Sequence, residues 1–531
     1  MQSRILVVRF GSLGDVILTS ATVINLRLAY PDSEIVYLTR ERYRCLVERF
    51  FGVDRVETVP DHVSLTELFR RLLQIESGAF DQIVDLHGNF RSWFARSMLT
   101  ANARYVYPKR RLERWRVTRR RKTLPAEYPH TIDLYNDIIL RQGKPAHCQR
   151  PLIGVPSPSP QFAPILATEK PIVLIAPGAA HLPKAWPVER FGLLAKELHA
   201  RWGARIVWAV TAGERSAYGL PGELKSSNII ELVDCTLDQV AALAGSAKLA
   251  VTNDSGISHL ASAVGTPVLA LFGPTHPVLG FAPRGLRDRV MQVEEFCRPC
   301  SRHGRKACWR EERYCFTRLA AEEVIKAAGE MLAVSASLTP GLLVDRDGTM
   351  IVNKHYLADP DDVQLIDGVP EALRRVRRQG YRIVVISNQS GVARGLHSYA
   401  DVQKVNMRVK EMLADQGEMI DGMYFCPHHN RKGRAPDFAV DCRCRKPSPG
   451  MAEQAALEHG LDLRRSVVVG DSIPDIALGW VIGARSILVR TGYGATILET
   501  RPDRVKRAKI EVTDNLLTAA ELLSGTISSR T

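Results

Sequence analysis

The chain has 531 residues, 45% apolar and 24% charged. That balance is ordinary for a globular protein, and the length is too great for a single hydrophobic core. No run of about 18 apolar residues occurs, which argues against a membrane-spanning helix. The net charge of +15 favours a polyanionic partner or substrate without naming one.

The opening Met-Gln-Ser-Arg-Ile-Leu-Val-Val-Arg-Phe reads as a first β-strand, because its apolar run is too short for a signal peptide, and a cytoplasmic protein is expected. Gly11-Ser12-Leu13-Gly14-Asp15-Val16 then turns into a helix running through Leu28. A glycine-rich turn at a helix start offers N–H groups and a positive dipole end to an anion. Glu34–Leu38 and Asp81–Leu86 are the next strands, the latter ending in His87-Gly88-Asn89-Phe90-Arg91. Between Arg104 and Lys122 lie ten Lys or Arg and one acid, Glu113, with Tyr105, Tyr107 and Trp115 interleaved. A solvated loop, an anionic membrane surface bearing an anionic glycolipid, and nucleic acid are the options; no nucleic-acid module surrounds the stretch, so nucleic acid ranks last.

The Pro/Ser-rich segment Pro151–Pro164 reads as a linker between an N-terminal lobe (1–160) and a second lobe (165–332). In the second lobe, strands Ile172–Ala176, Ile206–Val210, Leu249–Asn253 and Val268–Phe272 end in Pro177-Gly178, Thr211-Ala212-Gly213-Glu214, Asp254-Ser255-Gly256 and Gly273-Pro274-Thr275. Strands alternating with helices imply parallel, doubly wound sheets, with a ligand cleft at the strand ends.

Gly14-Asp15, Asp85-Leu86-His87-Gly88-Asn89-Phe90-Arg91, Lys184-Ala185-Trp186-Pro187, Asn253-Asp254-Ser255-Gly256 with His259, and Phe272-Gly273-Pro274-Thr275 occur in the order found in the bacterial heptosyltransferases, and residues 1–330 resemble that family (glycosyltransferase family 9). The resemblance implies two Rossmann-like lobes of GT-B type that transfer a nucleotide-activated heptose to a lipopolysaccharide-type glycolipid at the inner membrane face. It casts Asp15 as the base for the acceptor hydroxyl and places Lys184 near the donor diphosphate. Glu214 falls at the ribose, and Asp254, Ser255, Gly256 and His259 fall around donor phosphate and heptose. Each has a plainer alternative: a helix N-terminal acid for Asp15, an Asx turn for Asp254, a packing histidine for His259. Ala179-Ala180 stands where some relatives carry hydroxyls, so a non-catalytic glycolipid-docking module is the alternative for this half.

Cys297, Cys300, Cys308 and Cys315 could close a second metal site, or stand as reduced thiols. A helix from Leu319 to Leu332 then closes the lobe, and 333–340 reads as a linker.

Residues 341–525 form the third domain. An apolar strand, Gly341–Val344, ends in Asp345-Arg346-Asp347-Gly348-Thr349. Tyr381–Ile386 ends in Ser387-Asn388-Gln389, and Ser466–Gly470 ends in Asp471. This set suits phosphoryl transfer: Asp345 as nucleophile, Asp347 as acid and base, Ser387 and Lys446 on the phosphoryl oxygens, and Asp345, Asp471 and the Asp347 carbonyl on Mg2+, with Asp475 supporting. Cys426, His428, Cys442 and Cys444 have the ligand types and spacing of a closed structural zinc site. Together with Ser387–Gly395 and Arg445-Lys446-Pro447, these motifs resemble the haloacid dehalogenase superfamily, and within it the heptose 1,7-bisphosphate 7-phosphatases and histidinol phosphatases. The resemblance implies a small sugar phosphate as substrate, histidinol phosphate being the alternative, with Asn388, Arg394, Arg445 and Lys446 facing substrate or phosphate. Ser472 stands where the heptose phosphatases usually carry Lys.

Overall fold

The computed structural model describes residues 3–75, 79–119, 128–430, 434–507 and 510–525. Residues 120–122 of the basic stretch fall outside these. The chain forms two compact units, Met1–Ala336 and Ser337–Thr531.

The first unit contains two sheets. Strands β1 (Arg4–Val8), β2 (Glu34–Arg40), β3 (Arg55–Val59), β4 (Phe80–Asp85) and β5 (Ala101–Val106) lie in the order β3-β2-β1-β4-β5. Strands β6 (Ile172–Ala176), β7 (Arg205–Val210), β8 (Ile229–Val233), β9 (Leu249–Asn253), β10 (Val268–Leu271) and β11 (Arg289–Met291) lie in the order β11-β10-β9-β6-β7-β8. The second unit has one sheet, β14-β13-β12-β15-β16-β17. It is built from β12 (Gly341–Val344), β13 (Arg382–Asn388), β14 (Gly422–Cys426), β15 (Val467–Gly470), β16 (Arg485–Val489) and β17 (Glu511–Thr513).

Among the described residues the strands of all three sheets pair in parallel. Helices cover both faces, so the central strands are apolar without alternation: Ile5–Val8 and Leu342–Val344 are fully buried. This is the expected α/β class. Each sheet has one point where the strand order reverses, between β1 and β4, β6 and β9, and β12 and β15. The chain leaves the two strands there in opposite directions, which opens a crevice at their carboxyl ends.

One local expectation is corrected and two are refined, the boundary between the units falling within the expected linker 333–340. The helix expected through Leu28 is two helices, Leu13–Leu18 and Ser20–Ala29. They part at Thr19, whose Oγ1 donates to the Val16 carbonyl (2.6 Å) and competes with the helical ladder. The Pro/Ser-rich segment is anchored at its start: Leu152 N donates to Ser20 Oγ (3.0 Å), Ile153 N to Ala263 O (3.1 Å) and Gly154 N to Arg49 O (2.9 Å). The expected linker 333–340 is helical as far as Ser337, because the helix Ala321–Ser337 meets no Gly or Pro before Pro340 other than Gly329, and Ser335 is buried.

A buried amide network ties the first lobe together. Asn25 Nδ2 donates to Asn136 Oδ1 (3.1 Å) and Cys148 O (2.8 Å), and Asn25 Oδ1 accepts from Cys148 N (2.8 Å). Thr22 Oγ1 donates to Asn136 Oδ1 (2.8 Å). Asn25→Ala leaves the Cys148 N–H unsatisfied inside the lobe, a cost of about 1–3 kcal/mol. Its unfolding transition in urea is expected at lower denaturant than wild type with an unchanged slope.

Candidate active sites

At the β12/β15 crevice, Asp345 leaves the sheet directly, its N–H bonded to Val469 O (2.9 Å). The Lys446 ammonium, itself buried, lies 2.6 Å from Asp345 Oδ1 and 2.6 Å from Asp475 Oδ1, and donates to Ile386 O (2.6 Å). Burial opposes the Lys446 charge, but the two carboxylates outweigh it and hold its pKa above the ordinary value. Burial pushes the Asp345 carboxyl well up; Lys446 counters, while Asp475, Asp471 and Asp347 add repulsion. Burial and then Asp475 raise Asp471 to about 7. A Cβ at Gly348 or Gly492 would collide with Asp471 Oδ2; both glycines have positive φ, +82° and +57°, so the loops close on the carboxylate.

Asp347 faces a different environment. Arg346, fully buried, places Nη2 3.0 Å from Asp347 Oδ2, and Gln389 Nε2 donates to the same oxygen (2.7 Å). Ser387 Oγ lies 2.7 Å from Gln389 Nε2 and 3.4 Å from Asp347 Oδ2. The carboxylates that come within 4.8 Å of one another are therefore Asp345, Asp471 and Asp475; the Asp347 side chain, expected near the metal only through its carbonyl, is turned to Arg346 and Gln389.

Three residues expected to face substrate have partners within the chain. Asn388 brackets the Lys446 backbone, donating to its carbonyl (3.1 Å) and accepting from its N–H (2.9 Å). Arg445 Nη1 donates to His428 O (3.2 Å). Arg394 lies over the Tyr356 ring (5.3 Å) and bonds its hydroxyl. Ser472 caps the helix Ile473–Ile482, and its N–H and hydroxyl both bond Asp475 Oδ2, which explains a small hydroxyl residue there.

Cys426 Sγ lies 3.6 Å from Cys442 Sγ and 3.2 Å from Cys444 Sγ, and His428 Nδ1 lies 3.2 Å from Cys444 Sγ and 3.7 Å from Cys426 Sγ. These are close to the edges of a tetrahedron with zinc–sulfur bonds of about 2.3 Å. All four cysteines of the other expected metal site line one cavity. Cys300 Sγ meets Cys297 O (3.3 Å) and Cys308 Sγ meets Glu312 O (3.5 Å), and the four are not among the clusters of described residues whose ligand atoms lie within 4.8 Å of one another.

In the first unit, Asp15 stands at the β1/β4 crevice. Its Oδ2 meets Arg9 Nη2 at 2.6 Å and Ser12 Oγ at 3.0 Å, and its Oδ1 accepts from Tyr135 OH (3.1 Å). Burial would raise its pKa, but Arg9 and the two hydroxyls hold it below the ordinary value. Arg9 also donates to Leu86 O (2.5 Å), joining β1 to β4. At the β6/β9 crevice, Lys184 Nζ lies 2.7 Å from Asp254 Oδ2, which also accepts from Thr275 Oγ1 (2.7 Å). Asn253 joins the two strand ends through Pro177 O (2.6 Å) and Trp186 N (3.0 Å). Glu214 packs against Gly178, leaving no room for a Cβ there, while its Oε2 accepts from Thr211 N (3.1 Å) and Oγ1 (2.9 Å). Ser255 precedes the helix Gly256–Ala263; Gly256 abuts Leu13, and His259 abuts Gly14. The helix Gly256–Ala263 thus packs on the helix that carries Asp15.

His87 bridges Phe10 N (3.1 Å) and Asn89 Nδ2 (2.9 Å). Burial first, then Arg9 and Lys109, lower its pKa to about 3. The unfolded chain takes up this proton near pH 6.5 and the native one does not, so the His87 contribution to stability is present above about pH 6.5 and is lost as pH falls towards 3. In NMR titration the His87 ring is expected to show no titration between about pH 5 and 8; a midpoint near the free value would contradict this burial.

Residues 66–309 match the family model for glycosyltransferase family 9 (heptosyltransferase). Residues 443–519 match the HAD-hydrolase-like model, and 342–478 the polynucleotide kinase 3 phosphatase model. A D-glycero-beta-D-manno-heptose-1,7-bisphosphate 7-phosphatase of Yersinia pestis is 42% identical over 159 residues, 30% of this chain and 84% of that protein. A D-glycero-D-manno-heptose-1,7-bisphosphate 7-phosphatase of Thermosynechococcus vestitus is 42% identical over 163 residues, 30% of this chain and 83% of its own. The crystal structure of a family 9 glycosyl transferase from Veillonella parvula superposes with a TM-score of 0.52 at 23% identity, covering 62% of this chain and 97% of its own, and shares the fold. The chain therefore belongs, through its C-terminal unit, to the heptose-1,7-bisphosphate 7-phosphatase family, and fuses that unit to a glycosyltransferase family 9 half.

Proposed function

We propose that the C-terminal unit removes the 7-phosphate of D-glycero-D-manno-heptose 1,7-bisphosphate, and that the N-terminal half transfers heptose from a nucleotide donor to an anionic lipopolysaccharide-type acceptor at the inner membrane face. The observation that carries the first reading is the separation of Asp345 from Asp347. One is held by Lys446 at 2.6 Å, the other by Arg346 and Gln389, so two nearby carboxylates have different partners and can do different work.

Asp345 attacks phosphorus while the sugar oxygen leaves with a proton from Asp347, giving an aspartyl phosphate and a free sugar hydroxyl. Asp347 then takes a proton from water as that water attacks phosphorus, which frees Asp345 and releases phosphate. Lys446 and Ser387 hold the phosphoryl oxygens. Three buried carboxylates lie within 4.8 Å, Lys446 pairs with two of them, and burial followed by mutual repulsion raises Asp345 and Asp471, so the oxygen donors suit a divalent cation. Mg2+ held there by Asp345, Asp471 and the Asp347 carbonyl, with Asp475 supporting, would neutralise developing phosphoryl charge. Three cysteines without disulfides and His428, at near-tetrahedral spacing, suit zinc, which would pin the loop that carries Arg445 and Lys446.

In the N-terminal half, Asp15 accepts the acceptor hydroxyl proton as that oxygen bonds to the heptose anomeric carbon. The bond from that carbon to the diphosphate oxygen breaks, and Lys184, now paired with Asp254, meets the leaving diphosphate.

Asp345→Asn is expected to abolish phosphate release from the bisphosphate with the fold retained, while Asp15→Asn abolishes heptosyl transfer and leaves phosphate release at the wild-type rate. Unchanged transfer in Asp15→Asn would overturn the base assignment. Cys444→Ser is expected to lose zinc, read by metal analysis, and about tenfold or more of phosphatase kcat/KM. Retention of both would remove the positioning role of the loop.

A further inference from the structure

Residues 292–313, between β11 and the short helix Tyr314–Thr317, form neither helix nor strand. An irregular stretch of this length inside a compact lobe has to be held by something other than backbone ladders. Cys297, Cys300 and Cys308 lie within it and Cys315 just beyond it. None of the four is in a disulfide, and all four line one cavity of about 20 Å3, room for a single ion. Among the described residues that line this cavity, Lys306, Arg310 and Arg313 stand with one acid, Glu312, and Arg310 is also paired with Glu295. Four thiolates round a divalent ion carry a net negative charge, and cations on the wall offset part of it. The contacts from Cys300 Sγ to Cys297 O (3.3 Å) and from Cys308 Sγ to Glu312 O (3.5 Å) are local, and a thiol is a weak donor, so little is lost when these side chains turn to a metal.

The stretch is fastened to two turns at the donor-side crevice. Near its start, Cys300 N donates to Pro274 O (2.8 Å) and Arg298 Nη2 to Thr275 O (2.8 Å), on the turn whose Thr275 hydroxyl bonds Asp254. Towards its end, Arg313 Nη1 donates to Leu182 O (3.1 Å) and Ala185 O (3.2 Å), on either side of Lys184. Its tip lies on Lys184 itself: Gly304 has φ +67°, and a Cβ there would collide with Lys184 Cγ, while Arg305 Nε lies 3.1 Å from His181 Nε2. We propose that Cys297, Cys300, Cys308 and Cys315 bind one thiophilic divalent ion, zinc or iron, which closes the stretch into a loop and holds its tip against Lys184. The thiols release their protons to solvent as they bind. Lys184 is then a lysine set by a thiol-bound loop, as Lys446 is bordered by the Cys426–Cys444 cluster. The consequence for transfer rests on the transferase reading above; the metal site does not.

The test is zinc and iron analysis of the full chain after passage over a chelating resin, for wild type, Cys300→Ser/Cys308→Ser and Cys426→Ser/Cys444→Ser. Wild type is expected to hold two thiol-bound ions per chain and each double variant one. Cobalt(II) added to metal-free Cys426→Ser/Cys444→Ser chain is expected to give the thiolate-to-cobalt absorption of a tetrahedral sulfur site, which the further change Cys308→Ser removes. Phosphate release by Cys300→Ser/Cys308→Ser is expected at the wild-type rate, while its KM for the nucleotide-heptose donor rises about tenfold or more and its KM for the acceptor is kept. A single ion in wild type that Cys426→Ser/Cys444→Ser removes overturns the proposal. So does the absence of the cobalt–thiolate absorption, acid-labile sulfide at this site, or a disulfide among Cys297, Cys300, Cys308 and Cys315 in chain alkylated without reductant. Two ions in a wild type that shows no transfer support the site and instead remove the transferase reading.

Discussion

The Lys446 ammonium between Asp345 and Asp475 is the interaction on which the phosphatase site depends. Without a cation there, Asp345, Asp471 and Asp475 would bury three repelling acids at one sheet edge, and ionised carboxylates do not persist in such a place unpaired. The surroundings are built to hold that ammonium still. Ile386 O accepts from it, Asn388 bonds both sides of its backbone, and the cysteine–histidine cluster ends two residues earlier at Cys444. Asn388 and the thiol cluster thus both border the segment that carries Lys446.

The same constraint recurs at each point where strand order reverses. Asp15 meets Arg9 at 2.6 Å, Asp254 meets Lys184 at 2.7 Å, and Asp345 meets Lys446 at 2.6 Å. In every case the segment that directly follows a strand delivers the acid, Asp15 from the first turn of its helix and Asp254 and Asp345 from the residue after the strand. The cation comes from the strand end itself, from the loop after β6, or from a distant loop. Parallel sheets open their crevices at carboxyl ends, so acids carried there fall under one rule: a matching positive charge must arrive by whatever route the topology allows.

Much of this was legible in the residues. The central strands are continuous apolar runs that end in Asp, Gly or Asn, and the motif order separates the two halves. The edge strands β3, β5, β8, β11, β14 and β17 are partly exposed and several are mixed in character, as Arg-Val-Glu-Thr-Val in β3 illustrates, so periodicity marks them weakly. Arg346 and Gln389, which orient Asp347, lie within motifs but carry no signal of their own direction. The four thiols Cys297–Cys315 have metal-like spacing, yet spacing does not determine where sulfur atoms point, and two of them turn to carbonyls.

By itself, the sequence determined the class of fold, the two kinds of chemistry and the identity of the acids, because those depend on local patterns that a strand and its following turn express wherever they fold. Only the tertiary structure decided which cation meets which acid, and that Asp475 rather than the Asp347 side chain completes the acidic cluster. Those facts depend on residues brought together from far apart in the chain.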